Sequence, residues 1–307
     1  MDRVAKLLGF QRRRELRKLR KSWKFGMTSG REQQWLRRYA AQRYRGEGAI
    51  VDLGCLLGAT TIALAEGLAL NRKAKDRQIH AYDLFLWNEG YEAWVKGTDL
   101  EGWFRPGESF LPEFLKRTEQ WHESIVSHQE DLRQARWTSE PIEFLYIDAM
   151  KSPKVATAIA SNFFPYLIAG KSYIAHQDYP HYVTWWIHIQ AWRLRDYFRF
   201  VADLPQSTLF RLEREIDPQL LASDLSPATV SPDEIEAAFD YSLRLVGKNK
   251  KANVIAAKAM AYVARGDLAG ADEILKQSRY GPASIADEFN TAKGLIERKL
   301  AATKRPR

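Results

Sequence analysis

The sequence predicts an α/β fold: a mostly parallel, doubly wound sheet with helices on both faces, preceded by a basic helical arm and followed by an α-helical appendage. Three observations lead there. Short apolar runs alternate with helix-like segments from about residue 31 to residue 213. The runs are nearly continuous in apolar content, as a strand buried on both faces requires. The basic charge is confined to one end: residues 1–24 hold ten Lys or Arg against two acids, so +8 of the formal net charge of +9 sits there.

The arm, residues 1–30, places Val4, Leu7, Leu8, Leu16, Leu19 and Trp23 at helical spacing among arginines. It reads either as a solvated helix laying a thin apolar stripe on the body, or as an attachment to an anionic membrane surface or to nucleic acid. A helical segment follows at 31–45. Strand-like runs then stand at "AIVDLG" (49–54), "QIHAYDLF" (78–85), "SIVSHQ" (124–129), "IEFLYIDA" (142–149) and "SYIAHQDY" (172–179). Helix-like segments at 59–70, 111–121, 153–166 and 183–198 separate them. Only a short turn divides "RFVADLP" from "TLFRLER", so a hairpin is expected at one sheet edge.

Residues 31–213 form the expected main domain and 214–230 a linker or irregular crossing. In the appendage, residues 231–307, Ser231 is an N-cap, Pro232 takes the first helical position and Glu234 closes a capping box. The stretch "AAKAMAYVARGDLAGADEILKQ" looks like part of a tetratricopeptide repeat turning at Gly266-Asp267, and one repeat is too few for a solenoid. Helices of this kind would serve association, including a homo-oligomer.

Composition narrows the class. The 307 residues, 45% hydrophobic, suffice for one sizeable domain and an appendage. No apolar run approaches the roughly 20 residues that cross a bilayer. The N-terminus lacks an apolar signal core. The single cysteine, Cys55, excludes an intramolecular disulfide and fits a reducing compartment. Together these predict a cytoplasmic protein, with the arm offering peripheral contact at the inner membrane face. The body is close to neutral, which argues against a nucleic-acid surface there.

The chemistry centres on "AIVDLGCLLGATTIALAEGL", residues 49–68, where a buried strand becomes a helix through the pattern D-x-G-x-x-x-G-x-T. Glycine lets a ligand approach the main chain, and free amides at a helix start favour an anionic group. Neither the G-x-G-x-x-G dinucleotide fingerprint nor a G-K-[ST] after the turn is present. The next strand ends in Asp83, at the carboxyl edge where doubly wound sheets bind ligands and a carboxylate can accept both hydroxyls of a ribose. The alternative for Asp83 is the cap of a local turn. A glycine turn for a carboxylate and an acid for a ribose describe the two ends of S-adenosylmethionine.

Residues 31–212 resemble class I S-adenosylmethionine-dependent methyltransferases, and most of all the macrocin O-methyltransferase type. The resemblance rests on "VDLGCLLGATTIALAEGL", "AYDLF", "FLYIDA" and "YIAHQDY". It implies a Rossmann-like, seven-stranded sheet whose last strand is antiparallel. It further implies that Asp52, Gly54, Cys55, Gly58, Thr60 and Thr61 surround the methionine part of the cofactor. Asp83 and Leu84 would hold ribose and flank adenine, and Glu130 or Asp131 would meet the adenine edge. Cys55 reads as a small packing residue rather than a nucleophile.

Methyl transfer to oxygen needs an acceptor in line with the sulfonium and a group that takes the hydroxyl proton. The ends of the fourth and fifth strands supply Asp148, His176, Asp178 and His181. Ser152-Pro153 already caps the following helix, which frees Asp148 for the site. In the resembled family, acids at these strand ends hold a divalent metal, for which Mg²⁺ suits the oxygen ligands Asp148, Gln177 and Asp178. Gln177 stands where the family carries an acid, a weaker donor. His176 and His181 are candidate bases, and His188 reads as structural.

Six rings, Trp87, Tyr91, Trp94, Trp103, Phe104 and Phe110, lie in the insertion after the second strand. They read equally as a lid over a sugar or planar acceptor and as cement for a small helical subdomain; Arg105 among them would pair with an anionic acceptor. The expected function is O-methylation of a sugar or sugar-bearing small molecule. The alternatives are a cofactor-binding protein with a degenerate acceptor site that serves as an interaction module and, less favoured, a nucleic-acid methyltransferase. The amino-methylating signature Asn/Asp-Pro-Pro-aromatic is absent, with "DAMKSP" in its place.

Overall fold

The computed structural model of the protein describes residues 26–74, 76–98, 100–280 and 288–303. The basic arm, up to residue 25, lies outside the described residues. In chain order the elements are α1 (Gly30–Gln42), β1 (Ala49–Leu53), α2 (Ala59–Leu68), β2 (Ile79–Asp83), α3 (Glu92–Val95), α4 (Leu111–Thr118), β3 (Ile125–Gln129), β4 (Ile142–Ile147) and α5 (Pro153–Phe163). There follow β5 (Tyr173–His176), α6 (Trp185–Arg193), β6 (Phe198–Asp203), β7 (Thr208–Leu212), α7 (Pro218–Leu221), α8 (Pro232–Leu245), α9 (Lys248–Ala264), α10 (Leu268–Lys276) and α11 (Glu288–Thr303).

All seven expected strands form, in one sheet ordered β3-β2-β1-β4-β5-β7-β6. The pairs β1–β4, β2–β3 and β4–β5 are parallel, while β7 runs antiparallel to both β5 and β6. The expected hairpin is therefore present, with β7 inserted inside and β6 left at the edge. Every residue of β1 and β4 is buried, which is why both read as apolar runs broken by a single acid each, Asp52 and Glu143. The helices expected over 111–121 and 153–166 tighten at their C-terminal ends into 3₁₀ turns.

Contacts divide the chain into two compact units. The first comprises the described parts of Met1–Arg45 with Cys55–Gln129. Ser29 caps α1 by accepting the Glu32 amide at 3.3 Å. Asn71 donates to the Ala40 and Tyr44 carbonyls, both at 2.8 Å, closing the C-terminal end of α1. All ten residues of α2 are buried. The insertion packs Phe85, Trp87, Phe110 and Phe114 around Cys55, with Tyr91, Trp94 and Phe104 against that cluster. Five of the six insertion rings thus turn inward as cement, and only Trp103 is exposed. Cys55 is a packing residue, as expected.

The second unit comprises Gly46–Gly54 with Glu130–Arg307. Ser152 caps α5 through the Val155 amide, and Ser231 caps α8 through the Glu234 amide at 3.1 Å. The Glu234 carboxylate does not complete the capping box; it pairs with Arg193 of α6 at 2.7 Å. The segment 214–230 contains α7 and docks on α5, where Ser161 and Thr157 donate to the Leu221 and Ser223 carbonyls. Leu221, Leu225 and Val230 are buried. Between α6 and α8, Ser242 joins the Tyr179 hydroxyl at 2.8 Å and the His188 Nδ1 at 2.9 Å. His188 is structural, as its sequence context suggests. Ala252, Ala256 and Ala259 give α9 a small-residue face that meets Ala271, Leu275, Phe289, Ala292 and Ile296.

Candidate active site

The two glycines of the strand-to-helix turn have a reason the sequence did not show. Both have positive φ, 84° at Gly54 and 86° at Gly58. In the second unit, a Cβ on Gly54 would stand 2.4 Å from the Asp148 carbonyl oxygen. In the first unit, a Cβ on Gly58 would stand 3.2 Å from the Phe114 ring. Protein backbone forbids a side chain at Gly54, while at Gly58 the Phe114 ring would have to give by a few tenths of an ångström.

Two further residues near this turn, Leu56 (φ 45°) and Phe85 (φ 52°), adopt the left-handed region without being glycine. Such backbone costs on the order of 1–3 kcal/mol and persists only where its surroundings hold it. One side chain holds both. Asp83 accepts the Leu56 amide on Oδ2 and the Phe85 amide on Oδ1, each at 2.9 Å. The local-turn role weighed for Asp83 is therefore real, and it ties the end of β2 to the turn that starts α2.

Around it, Gly58 starts α2 with no side-chain cap, and Thr60 and Thr61 are buried in the first turn. Leu84 is 49% exposed, and its carbonyl accepts from Gln129. In the second unit Asp52 is fully buried in β1 and Glu130 is exposed. Asp131 accepts Arg133 Nε on both oxygens, at 3.0 and 2.9 Å, which holds its carboxyl below the usual range. Its expected contact with an adenine edge would have to displace that pair.

The ends of β4 and β5 bring Asp148 and Asp178 together on a residue the sequence reading passed over. The Lys151 Nζ lies 2.8 Å from Asp148 Oδ1 and 2.7 Å from each Asp178 oxygen. Burial works against this ammonium, but the two carboxylates hold its pKa above the ordinary lysine range. Burial pushes Asp148 up to about 7; Lys151 opposes that rise, and the charges of Asp178 and Asp52 add to it. The one available signal was a lysine three residues beyond the strand-end acid, inside the quoted "DAMKSP".

This arrangement does not fit the expected metal. A divalent ion between Asp148 and Asp178 would take the place of an ammonium of like sign. The third expected ligand, Gln177, lines a separate cavity with Asn253 and Glu288. Among the described residues no three His, Cys, Asp or Glu side chains stand together as a metal site.

His176, expected at the sheet edge as a base, is a core residue. It is 4% exposed, its ring sits beside Tyr179 and Phe210, and burial pushes its pKa down to about 4. Strand alternation turns it toward these rings. His181 stands on a turn with its side chain 41% exposed. Its Nδ1 accepts the Val183 amide in a long 3.4 Å bond, which leaves the neutral ring's proton on Nε2, 4.0 Å from Glu288 Oε1. In that tautomer Nε2 does not receive a proton. Burial lowers the His181 pKa, with Asp178 opposing. Glu288, 106 residues from its partner Tyr182, had no sequence signal at all.

No family model matches this chain, and no curated protein matches it. Solved structures do. A candidate rRNA-methylase from Clostridium thermocellum is 12% identical over 62% of this chain and 100% of that one, with a TM-score of 0.42. Phosphoethanolamine N-methyltransferase 1 of Haemonchus contortus is 13% identical, covering 68% of this chain and 49% of that one, TM-score 0.43. The calicheamicin methyltransferase CalS11 is 14% identical, covering 64% and 90%, TM-score 0.41. Among the described residues no helix is long and apolar enough to cross a membrane.

Proposed function

We propose that the chain is an S-adenosylmethionine-dependent O-methyltransferase acting on a hydroxyl of a sugar or sugar-bearing small molecule. The observation that carries this is the Asp83 junction: one carboxylate at the carboxyl end of β2 braces the turn before α2, at the sheet edge where a diol would be accepted. A ribose is the part of this cofactor that carries such a diol. Leu84 then flanks the adenine with its exposed side chain, and the turn Cys55–Gly58 with the start of α2 receives the amino-acid end.

When bound, the cofactor supplies an electrophilic methyl group: the acceptor oxygen attacks it and the carbon–sulfur bonding pair stays on sulfur. Asp148 takes the hydroxyl proton as the new carbon–oxygen bond forms, since a carboxylate raised to about 7 is matched to that transfer near neutrality. Lys151 positions Asp148 against Asp178 and offsets the negative charge that develops on the acceptor oxygen. His181 lies beside this group as a donor.

The test is calorimetric titration with S-adenosylhomocysteine, followed by a methyl-release assay on pooled glycosides with and without Mg²⁺. Binding with metal-independent turnover is expected. Absence of cofactor binding by the folded protein would overturn the reading. Binding without turnover on any pool would favour the second reading, an interaction module with a closed acceptor site. The Lys151 bridge is the observation that keeps that alternative in view, because it satisfies both carboxylates internally.

A further inference from the structure

A cavity of about 120 Å³ opens in the second unit, lined by Gln177, His181, Gln206, Lys250, Asn253 and Glu288 among others. That is several times the ~10–15 Å³ that one water molecule needs. Two of its residues follow β5, one lies in the β6–β7 turn, and three come from α9 and α11 of the helical appendage. We propose that this cavity binds a neutral, hydroxyl-rich ring, the sugar of the methyl acceptor. The name "acceptor" rests on the methyltransferase reading; the ring-binding chemistry does not.

Asn253 points to a ligand. It is 4% exposed, and among the described residues its Oδ1 has no hydrogen-bond partner. Leaving a buried amide oxygen unmatched costs about 1–3 kcal/mol, and a hydroxyl donor in the cavity recovers it. Gln177 and Gln206 add two more amides. A carboxamide carries both donors and an acceptor, the same two functions that vicinal hydroxyls combine.

The charges select against an anion. Lys250 is buried, but its ammonium protons are all spent, on Asp203 Oδ1 at 2.6 Å, the Leu204 carbonyl at 2.5 Å and the Ser207 carbonyl at 3.0 Å. Among the described residues that line the cavity, no further lysine or arginine remains for a phosphate or carboxylate. Glu288 already accepts the Tyr182 amide at 2.7 Å and presents its second oxygen toward His181. A negatively charged ligand would meet that carboxyl with nothing to offset it. A neutral ring meets donors and acceptors only.

Placement suits an acceptor. Gln177 directly precedes Asp178, and His181 follows three residues later, so a ring seated here lies beside the Asp178–Lys151 pair. The appendage, which the sequence assigned to association, would thereby form one wall of a substrate site.

Saturation-transfer NMR on the full chain tests this with methyl α-glucoside, methyl α-rhamnoside and, as the charged control, glucose 6-phosphate. Saturation of a neutral glycoside is expected in the wild type, with at least a fivefold loss in Asn253→Leu and in Gln206→Leu. Gln206 is half-buried in a turn, so its variant remains informative if Asn253→Leu does not fold by circular dichroism. No transfer to either glycoside, preferential binding of glucose 6-phosphate, or full retention in the folded variants overturns the proposal. S-adenosylhomocysteine titration on the same samples keeps the two readings apart. Glycoside binding without cofactor binding supports the cavity and removes the methyltransferase reading; cofactor binding without glycoside binding does the reverse.

Discussion

Replacing Asp83 by Asn changes one oxygen to an NH₂ group at constant shape. Asp83 accepts from two amides, at Leu56 and Phe85, both 2.9 Å away. An amide side chain can accept from only one of them on its oxygen; the other N–H then faces a donor. An unmatched donor costs about 1–3 kcal/mol. Both amides belong to left-handed residues that this carboxylate holds in place, so about 2 kcal/mol of stability should go. With a urea m-value of roughly 1–3 kcal/mol/M, the midpoint falls by about 1 M with m unchanged. The folded Asn variant has also lost one charged acceptor for the ribose, about 1.5–3 kcal/mol, or about 10- to 100-fold in affinity. Stability and recognition separate in a cycle. Wild type and variant are titrated with S-adenosylhomocysteine and with its 2′,3′-dideoxy analogue. The wild type should prefer the natural diol, and the Asn variant should lose at least tenfold of that preference. A folded variant that discriminates between the two as well as the wild type refutes the assignment of Asp83 to the ribose.

Three further outcomes follow from the geometry. Gly54→Ala should not yield soluble, folded protein, because its Cβ would stand 2.4 Å from the Asp148 oxygen; Gly97→Ala, with a similar positive φ and open space around it, should lose only about 1 kcal/mol by urea titration. Lys151→Met removes the charge that opposes the upward shift of Asp148, so the rising limb of kcat/KM against pH, centred at about 7 in the wild type, should move to higher pH while kcat falls at least tenfold; an unmoved limb rules out Asp148 as the base. Burial raises Glu288 to about 7 in the folded state, above its unfolded value of 4.5, so its contribution is fully present below 4.5 and lost as pH rises through about 7. The wild type should therefore lose about 2 kcal/mol relative to Glu288→Gln between pH 5 and pH 8 by urea unfolding, and a constant difference would remove that shift.

Much of the architecture is legible in the chain because its causes are local. Buried strands such as β1 and β4 are apolar at all but one position each, and Ser152-Pro153 and Ser231-Pro232 announce helix starts within four residues. Asp83 is legible for a related reason: it ends a strand next to a glycine turn. Local pattern stops short of roles that depend on which face a residue meets. His176 looked like a sheet-edge base because the last turn of a strand can point either way, and the core took it.

The sequence by itself determined the α/β alternation, the closing hairpin, the helical appendage and the two acids at the strand ends, since period, burial and capping act over a few residues. Tertiary structure alone decided that Lys151 lies between those acids, that protein backbone excludes a side chain at Gly54, and that Asn253 and Glu288 line a cavity with Gln177. Each of these joins groups that the chain separates, up to more than a hundred residues apart for Gln177 and Glu288, and a contact of that kind has no period to read.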